Sequence, residues 1–177
     1  MRAEATNRVH LVFTLFDADG SGQLGANDFD LMAHRVIDAA DTSSDAAKEA
    51  MLAAFRRYWT TLAAELDTNG DNMITLEEFS ACVLSPERFD DTIEDFALSL
   101  AALGDPDGDG LIERPVFIAL MLAIGFDRAN IEALFDAFEP NDDDEITVTT
   151  WVQGIKDYYR PDKAGIAGDH LVGQPGA

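Results

Sequence analysis

Four short acidic stretches carry the side chains best suited to chemistry. They are Phe16-Asp-Ala-Asp-Gly-Ser-Gly-Gln-Leu24, Leu66-Asp-Thr-Asn-Gly-Asp-Asn-Met-Ile74, Gly104-Asp-Pro-Asp-Gly-Asp-Gly-Leu-Ile112 and Phe138-Glu-Pro-Asn-Asp-Asp-Asp-Glu-Ile146. Alternating carboxylates along a tight turn can aim their oxygens at one point, which is what a hard divalent cation requires. Calcium takes six to eight oxygens at about 2.3 to 2.6 Å, and a twelve-residue loop can supply them from positions 1, 3, 5, 7, 9 and 12, position 7 through its backbone carbonyl. The turn at position 6 needs a positive φ, which favours Gly and then Asn.

Scored on that list, the stretches differ. Loop one, residues 17–28, offers Asp17, Asp19 and Ser21, a turn at Gly22, the Gln23 carbonyl, and Asp28 in the closing position. Asp28 is one methylene shorter than the usual Glu, so closure through one oxygen favours six-coordination and lets Mg²⁺ compete here. Loop two, residues 67–78, offers Asp67, Asn69 and Asp71, a turn at Asn72, the Met73 carbonyl, Thr75 or a water at position 9, and Glu78 as a two-oxygen clamp. Loop three, residues 105–116, opens with Asp105, Asp107 and Asp109 and adds the Leu111 carbonyl, but it has Val116 where the clamp belongs. Glu113 at position 9 could restore the missing oxygens, and occupancy of this third site stays open. Loop four, residues 139–150, has Glu139, Asp144 and Thr150 at positions 1, 6 and 12. Its run from Asn141 to Glu145 reads as a solvated acidic loop, kept to pair with loop three and not to hold metal.

Such loops act only if helices hold them, and apolar stripes at helical spacing flank every one. Incoming stripes are Val9, Val12, Phe13 and Phe16, then Phe55, Trp59, Leu62 and Leu66, then Phe96, Leu100 and Leu103, then Ile131, Leu134, Phe135 and Phe138. Outgoing stripes begin with Phe29, Phe79, Phe117 and Trp151 and continue through Met32 and Val36, Cys82 and Val83, Leu120 and Ile124, and Ile155 and Tyr158. An apolar residue falls at position 8 of every loop: Leu24, Ile74, Ile112 and Ile146. That shared position predicts a short β-bridge between loops one and two, and another between loops three and four. The predicted fold is all-α, four helix-loop-helix units in two closely packed lobes. Residues 1–90 would form the first pair, 91–160 the second, and 161–177 a tail.

Composition narrows the function. Thirty-four Asp and Glu oppose 12 Lys and Arg, a formal charge of -22, which repels nucleic acid and anionic membranes. No apolar run approaches the roughly 18 residues of a membrane span, and the polar N-terminus lacks the apolar core of a signal peptide. The lone Cys82 suits a reducing compartment, so a cytoplasmic, monomeric protein is expected. His10, His34 and His170 are scattered, no nucleophile elbow or phosphate loop occurs, and no enzyme activity is expected.

The four loops, the chain length, and an interval from Asp17 to Asp67 longer than the later ones resemble the EF-hand superfamily, and within it the sarcoplasmic calcium-binding proteins and the bacterial calerythrins. The resemblance covers nearly the whole chain. It implies extended helices in the first interval, matching Ala46, Ala47, Ala50, Ala53 and Ala54, and a C-terminal apolar plug, here Leu171 and Val172. It departs in the second loop, which the family often loses and this chain has kept. The function implied is an intracellular calcium buffer or store with divalent cations as its partners. The alternative is a sensor that opens on calcium to bind a partner helix. Sensors use Met-rich grooves, and only Met32, Met51 and Met121 fall on the predicted helices, so a protein target is not favoured.

Overall fold

The computed structural model describes residues 3–173, without the side chains of residues 82–84 and 86. The expected places of Cys82 and Val83 on an apolar stripe therefore lie outside the described residues. Helix α1 (Ala3–Phe16) leads into loop one, and α2 (Ala26–Ala39) leaves it. The Ala-rich interval becomes α3 (Asp45–Leu66), 22 residues long, capped by Ser44, whose hydroxyl accepts from the Ala47 N–H. At 1.5 Å per residue it spans about 33 Å and serves as the spine of the molecule. α4 (Leu76–Leu84) follows loop two, with Thr75 and Glu78 forming a capping box.

The second half repeats the plan. α5 (Asp90–Gly104) enters loop three, and α6 (Arg114–Ile124) leaves it with Pro115 tolerated in its first turn. α7 (Arg128–Ala137) is capped by Asp127 and leads to loop four, from which α8 (Val148–Tyr158) departs. The chain is all-α, with two lobes of paired units joined across one continuous apolar core. Phe55 and Tyr58 of α3 meet Phe96 of α5 at ring-centroid distances of 5.1 and 5.5 Å, so the lobes share side chains at their centre.

Position 8 pairs the loops, as its spacing predicts. Leu24 and Ile74 exchange two N–H to carbonyl bonds of 2.8 Å. Strand β1 (Leu111–Glu113) runs antiparallel to β2 (Glu145–Thr147), with Ile112 facing Ile146. These four residues, together with Phe29, Phe79, Phe117 and Trp151, are buried. Close approach between α8 and the end of α7 depends on Gly154. A Cβ there would stand 2.6 Å from the Phe138 ring. Gly154→Ala is accordingly expected to cost about 1 to 3 kcal/mol in chemical denaturation despite alanine's better helix propensity. A variant more stable than the parent would contradict the packing.

The polar N-terminal stretch holds a surprise for sequence reading: Arg8 is wholly buried on α1. Its Nε donates to the Tyr158 carbonyl at 2.8 Å, and Nη2 donates to the carbonyls of Arg160 and Lys163 at 2.9 and 3.1 Å. Its Nη1 pairs with Asp169. Around this guanidinium the chain after α8 turns back, ending in a 3-10 segment (Ala167–Val172) packed on α1, α7 and α8. Leu171 is buried in that segment, and the Asn130 amide donates to its carbonyl. Leu171 and Gly168 line a small apolar cavity of about 70 Å³ together with Phe16, Leu100, Met121 and Trp151.

Candidate metal centre

In loops one to three, the position-1 carboxylate organises the turn by accepting backbone N–H bonds. Asp17 takes Ser21 on Oδ1 and Gly22 on Oδ2, both at 2.8 Å. Asp67 takes Gly70 at 2.8 Å and Asn72 at 2.9 Å. Asp105 takes Asp109 at 3.0 Å and Gly110 at 2.9 Å. These bonds hold the turn in the left-handed region at Gly22 (φ 83°), Asn72 (φ 59°) and Gly110 (φ 85°). The chain folds this way because Asp bonds readily to backbone amides a few residues ahead and Gly or Asn tolerates the turn.

Loop one gathers its acids. Asp17, Asp19 and Asp28 bring carboxylate oxygens within 4.8 Å of one another. Asp28 is buried at the start of α2, its Oδ2 accepting from the Gly25 N–H at 2.8 Å and its Oδ1 from the Asp19 N–H at 3.1 Å. It thus binds the outgoing helix to the front of the loop. Hydrogen bonds from Ser21, its hydroxyl first and its N–H second, hold the Asp19 carboxyl below the ordinary aspartate range. The Ser21 hydroxyl also lies 2.9 Å from the Gln23 carbonyl, so these two predicted ligands are side by side.

Loop two is closed by Glu78. One of its oxygens accepts from the Thr75 N–H at 2.9 Å and the Thr75 hydroxyl at 3.0 Å, the other from the Thr68 hydroxyl at 2.9 Å. These bonds, the Thr75 N–H foremost, lower the Glu78 pKa. Asn69 accepts from the Asp71 N–H at 2.9 Å, and Asp71 accepts from Met73 at 2.9 Å. Among the described residues, the carboxylates of Asp67, Asp71 and Glu78 do not draw together as those of loop one do. The amide of Asn69 donates to Asp71 at 3.0 Å.

Loop three does gather its acids: Asp105, Asp107 and Asp109 also lie within 4.8 Å of one another. Asp109 accepts from the Leu111 N–H at 2.8 Å. Glu113, the candidate for restoring the clamp, is exposed at the N-cap of α6 and is not part of that group. Val116 packs against the apolar core.

Loop four is exposed from Asn141 to Asp144, in keeping with a solvated acidic loop, and it also has a protein cation. Asp144, at the turn with φ 65°, is held by Arg114, which also takes Asp136. Arg114 donates to Asp144, holding its carboxyl below the ordinary range, and the guanidinium's own pKa is raised in turn. Neither Arg114 nor Thr68 was singled out in the sequence. Thr68 could have been found as a hydroxyl inside loop two, whereas Arg114 lies 30 residues from Asp144 and no local spacing connects them.

Three carboxylates held this close with no Lys or Arg among them repel one another in water and are relieved by a multivalent cation. Oxygen donors alone, on a turn closed by a helix-start carboxylate, suit a hard ion such as calcium or magnesium. Helix, acidic loop and helix, paired through position 8, make up the EF-hand kind of unit, and the whole chain has the fold of the sarcoplasmic calcium-binding proteins. An EF hand family model matches residues 64–84, which contain loop two. The chain is similar to calerythrin of Saccharopolyspora erythraea, 23% identical over 164 residues that cover 89% of this chain and 93% of that one. It is also similar to a calcium-binding protein of Streptomyces coelicolor, with a TM-score of 0.73 and 26% identity over 88% of this chain and 97% of the other. A sarcoplasmic calcium-binding protein from amphioxus shares the fold, with a TM-score of 0.70 and 20% identity over 98% of both chains.

Proposed function

We propose that the protein binds calcium and acts as a calcium buffer or store. The observation that carries this is the convergence of Asp17, Asp19 and Asp28 within 4.8 Å on a closed EF-hand turn. Loops 17–28 and 67–78 hold the principal ions. Ligands are Asp17, Asp19, Ser21, Gln23 and Asp28 in the first and Asp67, Asn69, Asp71, Met73 and Glu78 in the second. Loop 105–116 holds a third, weaker ion through Asp105, Asp107, Asp109 and Leu111, with Glu113 swinging in when the ion arrives. The short Asp28 side chain lets Mg²⁺ compete at loop one. Residues 1–90 and 91–160 act as two paired units, and the tail from 161 belongs to the closed core.

Buffering is favoured over target capture by where the methionines lie. Met32, Met51 and Met121 are buried in the core, whereas a sensor presents such residues in a groove that opens on calcium. The Streptomyces coelicolor protein, solved as a basis for calcium-mediated regulation, supports the alternative reading of a sensor. Calorimetric titration with Ca²⁺, with and without millimolar Mg²⁺, distinguishes these proposals alongside a hydrophobic dye. Two tight sites, a weaker third, loss of the first in Mg²⁺ and no calcium-dependent dye signal are expected. Strong dye enhancement on adding calcium would favour the sensor, and an absence of any binding heat with unchanged spectra would sink both readings.

A further inference from the structure

Loop four lacks an EF-hand ligand set, yet it keeps the form of a paired loop. Ile146 faces Ile112 across the two strands, and the turn at Asp144 stays in the left-handed region. At the closing position, the Thr150 hydroxyl meets the Thr147 hydroxyl at 2.8 Å, so no anionic oxygen is offered there. Two acids on this side, Asp136 and Asp144, converge instead on Arg114, the tenth residue of loop three and the first of α6. Its Nε donates to one oxygen of Asp144 at 2.7 Å and its Nη2 to the other at 2.8 Å, while the same Nη2 reaches Asp136 at 2.7 Å. The guanidinium carbon lies 4.4 Å from the centre of the Phe135 ring, and the Arg114 N–H donates to the Asp144 carbonyl at 3.3 Å. One cation therefore joins the helix entering unit four, through Phe135 and Asp136, to the turn of its loop and to the end of loop three.

We propose that Arg114 is the built-in cation of the fourth loop and keeps loops three and four assembled without metal, so that an ion entering loop three meets a prebuilt partner. The part concerning loop three rests on the calcium-binding reading; the assembly of the pair does not. The planar fork is essential to the idea, because it grips both Asp144 oxygens while its face covers an aromatic ring. A lysine ammonium offers a point charge without that geometry. The competing account is that Ile112, Ile146, Phe117 and Trp151 hold the pair by burial alone.

Backbone hydrogen exchange in chelator separates the two accounts without reference to calcium. Wild-type amides of Ile112 and Ile146 are expected to be protected, and Arg114→Gln to lose about tenfold or more of that protection, with Arg114→Lys losing less. The amides of Leu24 and Ile74 in the other pair should change by less than about twofold and report that the chain is still folded. In calcium titration, the third site of Arg114→Gln should weaken about tenfold while the first two hold. Should Arg114→Gln fail to fold, Asp136→Asn removes a single exposed arm and is expected to give a smaller loss at the same amides. Equal protection in chelator for wild type and Arg114→Gln, or for wild type and Asp136→Asn where only that variant folds, overturns the proposal. A chain that bound no calcium would end the metal-binding reading and leave the chelator exchange as a valid test of Arg114.

Discussion

Saturating calcium is expected to raise the unfolding free energy of the native chain by about 8 kcal/mol, and the double variant Asp17→Asn with Asp67→Asn to lose most of that gain. Each site filled at a thousand times its dissociation constant contributes about 4 kcal/mol by mass action. For a domain of this size the sum corresponds to a rise of about 15 to 30 °C in melting temperature. The substitution acts twice on each loop. It removes one anionic oxygen from the group of ligands, and it replaces an acceptor with an NH₂. Asp17 uses both carboxylate oxygens to receive Ser21 and Gly22, and Asp67 likewise receives Gly70 and Asn72. An asparagine can accept on one side only. In chelator the outcome differs, because lowering the crowding of charge in loop one offsets the lost bond. The double variant should then melt within about 4 °C of the parent. Differential scanning calorimetry in calcium and in chelator checks both statements. Wild-type curves that coincide under the two conditions would contradict the metal-binding reading at its root.

Arg8→Met is the second large effect, with an expected loss of about 3 to 5 kcal/mol, the range for breaking a buried charge network by removing one partner. Methionine fills a similar length of α1 but leaves the carbonyls of Tyr158, Arg160 and Lys163 without their donor. Asp169 keeps its bonds from the Gly165 and Ile166 N–H groups at 2.7 and 3.1 Å and loses its cation. Tyr158 completes the network, its hydroxyl donating to the Arg8 carbonyl at 3.2 Å, and burial pushes its phenol pKa upward. Arg8→Lys should recover only part of the loss, since one ammonium cannot follow the fork to four acceptors. Urea denaturation gives the energies, and limited proteolysis between residues 160 and 173 shows whether the returning segment has come loose. If Arg8→Met cost under about 1 kcal/mol while Leu171→Ala cost about 2 to 5, apolar packing alone would hold the segment.

The loops were legible because an EF-hand site is written within twelve consecutive residues. Asp17, Asp19 and Asp28 could be placed around one point from spacing alone, and so could the turns at Gly22, Asn72 and Gly110. The same locality fixed Leu24 with Ile74 and Ile112 with Ile146, since every loop carries its bridging residue at the same position. The acids of loop two were harder to judge: the presence of Asp67, Asp71 and Glu78 is visible in the sequence, but their separation in space is not.

What the sequence determined by itself is the repeating unit, its apolar faces and the oxygen-rich turns, because helical period and loop register are properties of neighbouring residues. Only the tertiary structure decided where two arginines go. Arg8 finds carbonyls about 150 residues away, and Arg114 finds Asp136 and Asp144 across a helix pair. A long cationic side chain in an acidic protein has many carboxylates and carbonyls within its chemical means. Which of them it meets depends on how the finished lobes bring distant backbone together, and no local pattern encodes that choice.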